Sequence, residues 1–254
     1  MKLTGGAVPK VLAVLLAAVM VCVAGVATGA DPDAYELVRL VETQYRGETS
    51  YSVMTMSIIT DAWSRELTME AWSEGRNKFL AVITAPRKEE GTATLKIDDE
   101  IWNYLPRIDR LLKIPSGLMG DSWMGSHLTN DDLVKEDKVE EVYDLTVAER
   151  DGDRIVIDGV PKSDAAVVWG RIEYHIDLAR RIPLLIRYFD EDDALVRTMT
   201  FDDVRQTGDR WVPMAMLIQP EEKPDEHTRI QYDELAFGVA LGDDLFSLRS
   251  LRRR

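Results

Sequence analysis

The sequence predicts a mainly β fold with few helices, built on one antiparallel sheet that is strongly curved or closed. Between Tyr51 and Leu235, runs with the two-residue period of a strand recur roughly once per ten residues, and short polar turns separate them. Several runs are apolar on both faces, which is unexpected for a sheet with one face in water. An N-terminal helix and a long central loop are the segments available to cover the second face.

The predicted helix precedes the strands. Asp31 can cap its first turn, Pro32 suits the start of a helix, and Gly47 is a suitable end. Its apolar residues recur at helical spacing, so that one face can pack on the sheet. This face consists of Ala34, Leu37, Val38, Val41 and Tyr45.

The predicted strands fall into two groups, before and after the central loop. The first group is 51–59, 65–73, 78–84, 92–97 and 101–105. The second group is 143–148, 154–157, 170–177, 183–189, 195–201, 211–218 and 228–235. Between the groups, a short helix is expected to start at Asn130 or Asp131, where a polar side chain can cap it.

The central stretch carries the densest mixture of aromatic, basic, glycine and small polar residues. Strand 101–105 stops at Pro106, since proline cannot donate a hydrogen bond to a neighbouring strand. Two cations follow, Arg107 and Arg110. Residues 115–130 then combine glycines and serines with large apolar side chains. Long loops of this kind are commonly lids or binding segments.

The N-terminus predicts a secretory signal peptide. Lys2 and Lys10 precede an uninterrupted apolar run over 11–26, and small residues follow it. We therefore expect residues 1–30 to be removed and the mature chain to begin at Asp31. The alternative is a retained membrane anchor, because the run is just short of the roughly 17 to 25 residues that a spanning helix needs.

The remaining residues, 31–254, are expected to form a single domain. Cys22 is the only cysteine and lies in the predicted signal peptide, so the mature domain must be stabilised by its core rather than by disulfides. The formal net charge is −14 at pH 7. Nucleic acids and anionic lipid surfaces are therefore poor partners for most of the surface.

The inventory of catalytic groups is thin, and the sequence predicts no enzyme. Ser122 and His127 lie close together in the chain, but Gly120-x-Ser122-x-x-Gly125 departs from the Gly-x-Ser-x-Gly pattern of a hydrolase nucleophile. A hydrolase using Ser122 stays a minor alternative. No ligand spacing for a metal and no glycine-rich phosphate loop is found, so no metal and no cofactor is expected.

Methionines suggest a different role. Because this side chain is unbranched and polarizable, it can line a pocket for flexible or varied apolar ligands. Ordinary packing of a core is the alternative, and composition alone favours it. Those expected in the mature chain are Met54, Met56, Met69, Met119, Met124, Met199, Met214 and Met216.

The central stretch resembles the outer-membrane lipoprotein-sorting protein family, the LolA-like periplasmic carriers. The resemblance rests on WNYLPR from Trp102, on Arg110, and on GSHLTNDDL from Gly125 to Leu133. The family pattern is a W-x-Y-x-P strand end, an arginine pair and a segment close to G-S-D-F-T-Y-E-D-L. This chain departs from the last segment at His127, Leu128 and Asn130.

The resemblance implies an incomplete β-barrel with a helical lid over a hydrophobic cavity. The implied ligand is the acyl part of a lipoprotein or of another lipid, carried across the periplasm by a monomeric, non-catalytic protein. An inner-membrane transporter is a possible partner, and nucleic acid is not expected. The alternative is a non-catalytic envelope module that assists or regulates a membrane transporter while its own side chains fill the cavity.

The residues expected in the cavity or lid follow from the methionines, the central loop and the resemblance. Arg107 and Arg110 can steer an anionic headgroup, or they can be a solvated pair on a hairpin. The full set is Met54, Met56, Leu67, Met69, Trp102, Tyr104, Arg107, Arg110, Leu118, Met119, Trp123 and Met124.

Overall fold

The computed structural model describes residues 33–135 and 138–252. Within these residues, thirteen strands form one sheet. They are β1 (Thr49–Ile59), β2 (Ser64–Glu74), β3 (Lys78–Ala85), β4 (Ala93–Ile97), β5 (Glu100–Leu105), β6 (Arg110–Lys113), β7 (Tyr143–Asp151), β8 (Arg154–Pro161), β9 (Arg171–Asp177), β10 (Ile182–Phe189), β11 (Leu195–Thr207), β12 (Arg210–Pro220) and β13 (His227–Phe237). The helices are α1 (Ala34–Glu42), α2 (Asn130–Lys135), α3 (Val139–Val142) and α4 (Leu248–Leu251). The predicted signal peptide, and Asp31 and Pro32, lie outside the described residues.

All neighbouring strands are antiparallel, in the order β6-β5-β4-β3-β2-β1-β13-β12-β11-β10-β9-β8-β7. The predicted fold, a mainly β open barrel, is confirmed, because β6 and β7 are edges that do not pair with each other. The chain between these two strands connects opposite edges of the sheet. We call its first part, residues 114–135, the lid segment.

β6 was not predicted as a strand. It has four residues, and three of them are exposed, so it shows no alternation of buried and exposed side chains. It pairs with β5 as a hairpin, from Trp102 opposite Lys113 to Leu105 opposite Arg110. The pairing therefore depends on hairpin geometry rather than on a buried face.

The two faces of the sheet carry separate apolar clusters. On β3, Ala81 and Ile83 belong to the cluster of the inner face, whereas Leu80 and Val82 belong to that of the outer face. α1 packs into the inner cluster through one apolar face, which explains why this amphipathic segment is helical.

The outer cluster is covered by a segment that the sequence had not indicated. Leu251 of α4 is fully buried in it, and Leu245 and Phe246 pack against it. The expectation that the N-terminal helix and the central loop alone cover the apolar second face is therefore incomplete. The C-terminal segment covers the outer face around β3, β4 and β5.

The N-cap of α1 lies two residues later than predicted, at Asp33 instead of Asp31. Asp33 is the N-cap, since its carboxylate accepts a hydrogen bond from the backbone N–H of Tyr35 at 3.0 Å. Gly47 lies beyond the helix with a left-handed φ of 70°, a conformation that glycine adopts readily. Across the described residues, no helix is both long and apolar enough to cross a membrane.

Candidate ligand-binding site

A small cavity lies between the C-terminal end of α1, the inner face of β1 and β2, and the lid segment. Its volume is about 90 Å³. It exists because neighbouring inner positions carry small side chains: Ser50 is opposite Ser73, and Ser52 is opposite Ala71. Larger residues close the space around them, among them Met54, Trp123, Leu128, Leu133, Met216 and Tyr232.

The wall of the cavity is mostly apolar, although the charged side chains of Glu42 and Arg46 also line it, and three of its hydroxyl groups are hydrogen-bonded. The hydroxyls of Ser50 and Ser73 are 2.6 Å apart and hydrogen-bond to each other. The rings of Tyr45 and Tyr232 stack with centroids 4.7 Å apart, and the Tyr45 hydroxyl donates to the carbonyl of Pro213 at 2.7 Å. Such a wall suits an apolar ligand better than a polar one.

The lid segment closes the cavity with buried side chains. Trp123 is 2% exposed, and its indole N–H donates to the hydroxyl of Thr94 on β4 at 3.0 Å. Leu128 and Leu133 are also buried against the inner cluster. The cavity is therefore far smaller than the roughly 300 to 1,000 Å³ of typical ligand pockets, and a long acyl chain requires the lid segment to move.

A buried ion pair holds the lid segment to the barrel. Both guanidinium ends of Arg197 on β11 donate to the carboxylate of Asp132 on α2, at 2.6 and 2.9 Å. The two side chains are 4% and 8% exposed. Arg197 also donates to the backbone carbonyl of His127 at 3.1 Å and lies over the rings of Trp169 and Tyr188, 4.4 and 3.9 Å from their centroids. We call the Asp132–Arg197 pair the lid latch.

The lid latch also defines the start of α2. The Thr129 N–H donates to the Asp132 carboxylate at 2.7 Å, and the Asp132 N–H donates to the Thr129 hydroxyl at 3.1 Å. This reciprocal arrangement is a capping box, with aspartate in the place of the usual glutamate. The T-N-D-D sequence thus starts the helix and presents the carboxylate to Arg197.

Burial alone would raise the pKa of Asp132, but the charge and hydrogen bonds of Arg197 hold it below its ordinary value. The same balance acts on Arg197: burial alone would lower its pKa, yet Asp132 raises it above the ordinary value. Both groups are therefore charged at neutral pH.

The lid latch should be insensitive to mild acid. Because the pKa of Asp132 is lower in the folded chain, its contribution to stability is present above the unfolded value of about 3.9 and is lost as the pH falls through the folded value. Tryptophan fluorescence of the parent is expected to stay constant from neutral pH to about pH 4 and to change below it. In Asp132→Asn this acid transition should be absent or displaced. A transition of the parent near pH 6 that Asp132→Asn removes would contradict this assignment.

The predicted site residues on the inner face divide into three sets. Met54 and Trp123 line the cavity. Met56, Leu67 and Met69 are fully buried in the inner cluster without lining the cavity. Met119 and Met124 of the lid segment are partly buried against the same cluster.

The other predicted residues lie away from the cavity. Tyr104 is buried in the outer cluster, and Trp102, two positions earlier on β5, points to the same face, with the Lys113 ammonium 5.6 Å from its ring centroid. Arg107, Arg110 and Leu118 are exposed. For Trp102 and Tyr104 this corrects a placement near the cavity mouth, because the residues of β5 alternate between faces and Ile101 occupies the inner one.

Sequence reasoning missed the small residues that create the cavity. Ser50, Ser52, Ala71 and Ser73 had a detectable signal, since T-S-Y-S-V and A-W-S place small side chains at alternate positions of two adjacent strands. The predicted site residues, by contrast, all have large side chains. A void requires small residues as well as apolar ones.

The three departures from the family motif have different roles. Leu128 lines the cavity. The Asn130 amide donates to the carbonyls of Leu118 and Asp121 at 3.0 and 3.2 Å, which fixes the fold of the lid segment. His127 lies outside the cavity, so of the three it is Leu128 that can contact a ligand there.

The geometry gives no support to a hydrolase. Ser122 and His127 border one surface pocket, but in the described part of the chain no hydrogen bond joins them. Both ring nitrogens of His127 face other groups: the hydroxyl of Thr228 at 2.8 Å and the carboxylate of Glu226 at 3.3 Å. Nor do the described residues contain a group of three or more His, Cys, Asp or Glu side chains arranged to hold a metal ion.

Residues 75–253 match the model of a family described as "uncharacterized protein", and this match covers more than half of the chain. The chain belongs to that family. A comparison with curated proteins found no match. The family assignment therefore carries no activity with it, and solved structures supply the further comparison.

Three solved structures share the fold. One from Vibrio parahaemolyticus, described as an outer membrane lipoprotein-sorting protein domain, is 24% identical with a TM-score of 0.75, over 87% of this chain and 98% of that chain. A DUF1329 family protein from Desulfovibrio piger is 23% identical with a TM-score of 0.75, over 86% and 97%. A LolA superfamily protein from Nitrosomonas europaea is 14% identical with a TM-score of 0.70, over 85% and 98%.

The resemblance to lipoprotein-sorting proteins is thereby confirmed for the fold, which is LolA-like. At these identities the likeness concerns the fold alone. In the LolA-like barrel of this chain, the long connection between β6 and β7 provides the lid, and α1 fills part of the interior.

Proposed function

We propose that this LolA-like protein is a non-catalytic periplasmic carrier that binds the acyl part of a lipoprotein or another lipid on the inner face of its barrel. The observation that carries the proposal is the apolar cavity beneath a lid segment whose Asp132 forms a buried ion pair with Arg197 on the barrel. The shared fold with a lipoprotein-sorting domain supports it.

The energetics favour an acyl ligand once the lid segment moves. Burial of an acyl chain contributes about 0.8 kcal/mol per CH₂, so a chain of about 14 carbons offers on the order of 10 kcal/mol before the cost of ordering. Part of this gain offsets the displacement of Trp123 and Leu128 from the inner cluster. Shielding an acyl chain needs no catalytic group.

The second candidate is an envelope interaction module that assists or regulates a transporter. The small volume of the cavity favours it, because side chains of the protein already occupy most of the interior. In that case the barrel is a rigid scaffold, and the function lies on its surface. The two candidates differ in whether the interior ever admits a ligand.

Ligand uptake by the purified protein separates the candidates. Native mass spectrometry of protein isolated from its own envelope is expected to show co-purifying lipid, and delipidated protein is expected to take up a fluorescent fatty acid at a stoichiometry of about one. Protein that carries no lipid and takes up no probe would overturn the carrier proposal and favour the interaction module.

A further inference from the structure

A basic cleft borders the ligand cavity in an otherwise acidic protein. It is formed where the C-terminal end of α1 meets the β2–β3, β9–β10 and β11–β12 turns, and its volume is about 740 Å³. Within the described part of the chain six arginines line it: Arg39, Arg46, Arg76, Arg180, Arg181 and Arg210. Asp209 is the carboxylate in its wall. Such a concentration of cations is unexpected in a chain with a net charge of −14.

Internal ion pairs account for part of this charge. Arg76 pairs with Glu140 at 2.8 Å and lies 3.7 Å from Glu141, Arg180 pairs with Asp177 at 3.5 Å, and Arg210 pairs with Asp209 at 3.8 Å. Arg39 and Arg181 are exposed and form no ion pair with any described residue.

The C-terminal end of α1 accounts for the position of Arg39 but not for that of Arg181. A helix C-terminus carries a partial negative charge, which one nearby cation such as Arg39 complements. Arg181 does not belong to α1: it lies in the β9–β10 turn with a left-handed φ of 56°, where glycine or asparagine is more usual. The turn thus adds a second unpaired cation to the cleft.

The cleft also contains an unsatisfied polar group. Gln44 lines it and is 7% exposed, and its side-chain oxygen has no hydrogen-bond partner among the described residues. A buried acceptor of this kind costs free energy unless a donor reaches it.

The cleft and the cavity share a residue. Arg46 lines both, and its guanidinium carbon is 5.3 Å from the ring centroid of Phe79, which lines the cavity. This proximity allows a molecule with its acyl tail in the cavity to place its polar end in the cleft. Arginine forks suit phosphate oxygens, because they donate two parallel hydrogen bonds.

We propose that the basic cleft binds the phosphate headgroup of an anionic lipid whose acyl chain enters the cavity, with Arg39 and Arg181 contacting the phosphate. This headgroup site rests on the proposed carrier function and specifies where the polar end of the ligand binds. It also replaces Arg107 and Arg110 as the headgroup site, since these residues are exposed at the β5–β6 hairpin and border neither the cavity nor the cleft.

The test compares two pairs of arginines with one set of soluble probes. Calorimetry measures the binding of dihexanoyl phosphatidylglycerol, dihexanoyl phosphatidylcholine and inorganic phosphate, each below any micelle concentration. The variants are Arg39→Gln/Arg181→Gln in the cleft and Arg107→Gln/Arg110→Gln on the hairpin, which change the net charge equally. All four positions are exposed, so both variants should fold, which a thermal melt checks.

The parent is expected to bind the phosphatidylglycerol about ten-fold more tightly than the zwitterionic lipid. The cleft variant should lose this preference, and the hairpin variant should keep it. Equal affinity of the parent for the two lipids, or loss of the preference in the hairpin variant alone, overturns the proposal.

The remaining outcomes show whether the bound phosphate belongs to a lipid or is free in solution. They also separate failure of the headgroup site from failure of the carrier function. Inorganic phosphate that binds as tightly as the lipid, through the same arginines, would identify the cleft as a site for free phosphate and overturn the lipid assignment. If the fluorescent fatty acid binds but the anionic lipid shows no preference, the carrier function stands and the headgroup site fails. If phosphate binding depends on Arg39 and Arg181 but no acyl probe is taken up, the carrier function fails and lipid binding fails with it.

Discussion

Asp132→Ala is expected to lower the free energy of unfolding by about 3 to 5 kcal/mol, because it leaves Arg197 as an uncompensated buried charge. Loss of the capping box at Thr129 adds to the effect. The same change frees the lid segment, so uptake of a fluorescent fatty acid should become faster. Urea unfolding and stopped-flow fluorescence measure the two effects.

Two further variants make this prediction specific. Asp121→Ala changes an exposed carboxylate of the lid segment and should leave both stability and uptake close to the parent. Asp132→Leu/Arg197→Leu removes both charges and should recover most of the lost stability, since an apolar pair of similar volume tolerates burial. A loss below about 1 kcal/mol for Asp132→Ala, equal to that of Asp121→Ala, would show that the pair does not hold the lid.

Ala71→Leu is expected to weaken acyl binding strongly while the protein stays folded. Ala71 is buried on β2 and lines the cavity opposite Ser52, so the larger side chain projects into existing space instead of displacing neighbours. Filling a void in this way costs little stability and can add some. Titration with the fluorescent fatty acid should show affinity reduced by at least about ten-fold, or roughly 1.4 kcal/mol.

Ala93→Leu is the matched control. Ala93 is equally buried, but it belongs to the outer cluster beneath the C-terminal segment. The larger side chain should destabilise the protein by about 1 to 3 kcal/mol through overpacking and leave probe affinity unchanged. Equal loss of binding in the two variants would indicate a general effect of destabilisation rather than occupation of the cavity.

The strands were readable from the sequence because each one repeats its own pattern. Alternation on β1 and β2 and polar turns between strands are local signals, and they predicted the curved antiparallel sheet. β6 lacked such a signal because three of its four residues are exposed. The C-terminal segment that covers the outer face was not predicted for a related reason. The residues around Leu251 show no pattern that indicates which part of the sheet this side chain contacts.

The candidate site was less predictable because its decisive contacts join distant parts of the chain. Asp132 and Arg197 are 65 residues apart in the sequence. The residues around each of them give no sign that the two side chains form a pair. The basic cleft likewise assembles arginines from α1, from the segment that follows it, from the β2–β3 and β9–β10 turns and from the start of β12. The unusual composition of the lid segment was visible in the sequence. Its Trp123 lines the cavity, whereas Tyr104 on β5 points to the other face.

If the proposed function is right, an acyl chain enters the barrel beneath the lid segment. Crystals grown with a fatty acid brominated near its terminal methyl test this directly through the anomalous signal of bromine. We expect a bromine peak on the inner face between β1, β2 and the lid segment, within contact distance of Ala71 or Met216. Bromine peaks confined to the outer surface, with Trp123 and Leu128 still closing the interior in crystals grown at saturating fatty acid, would contradict it.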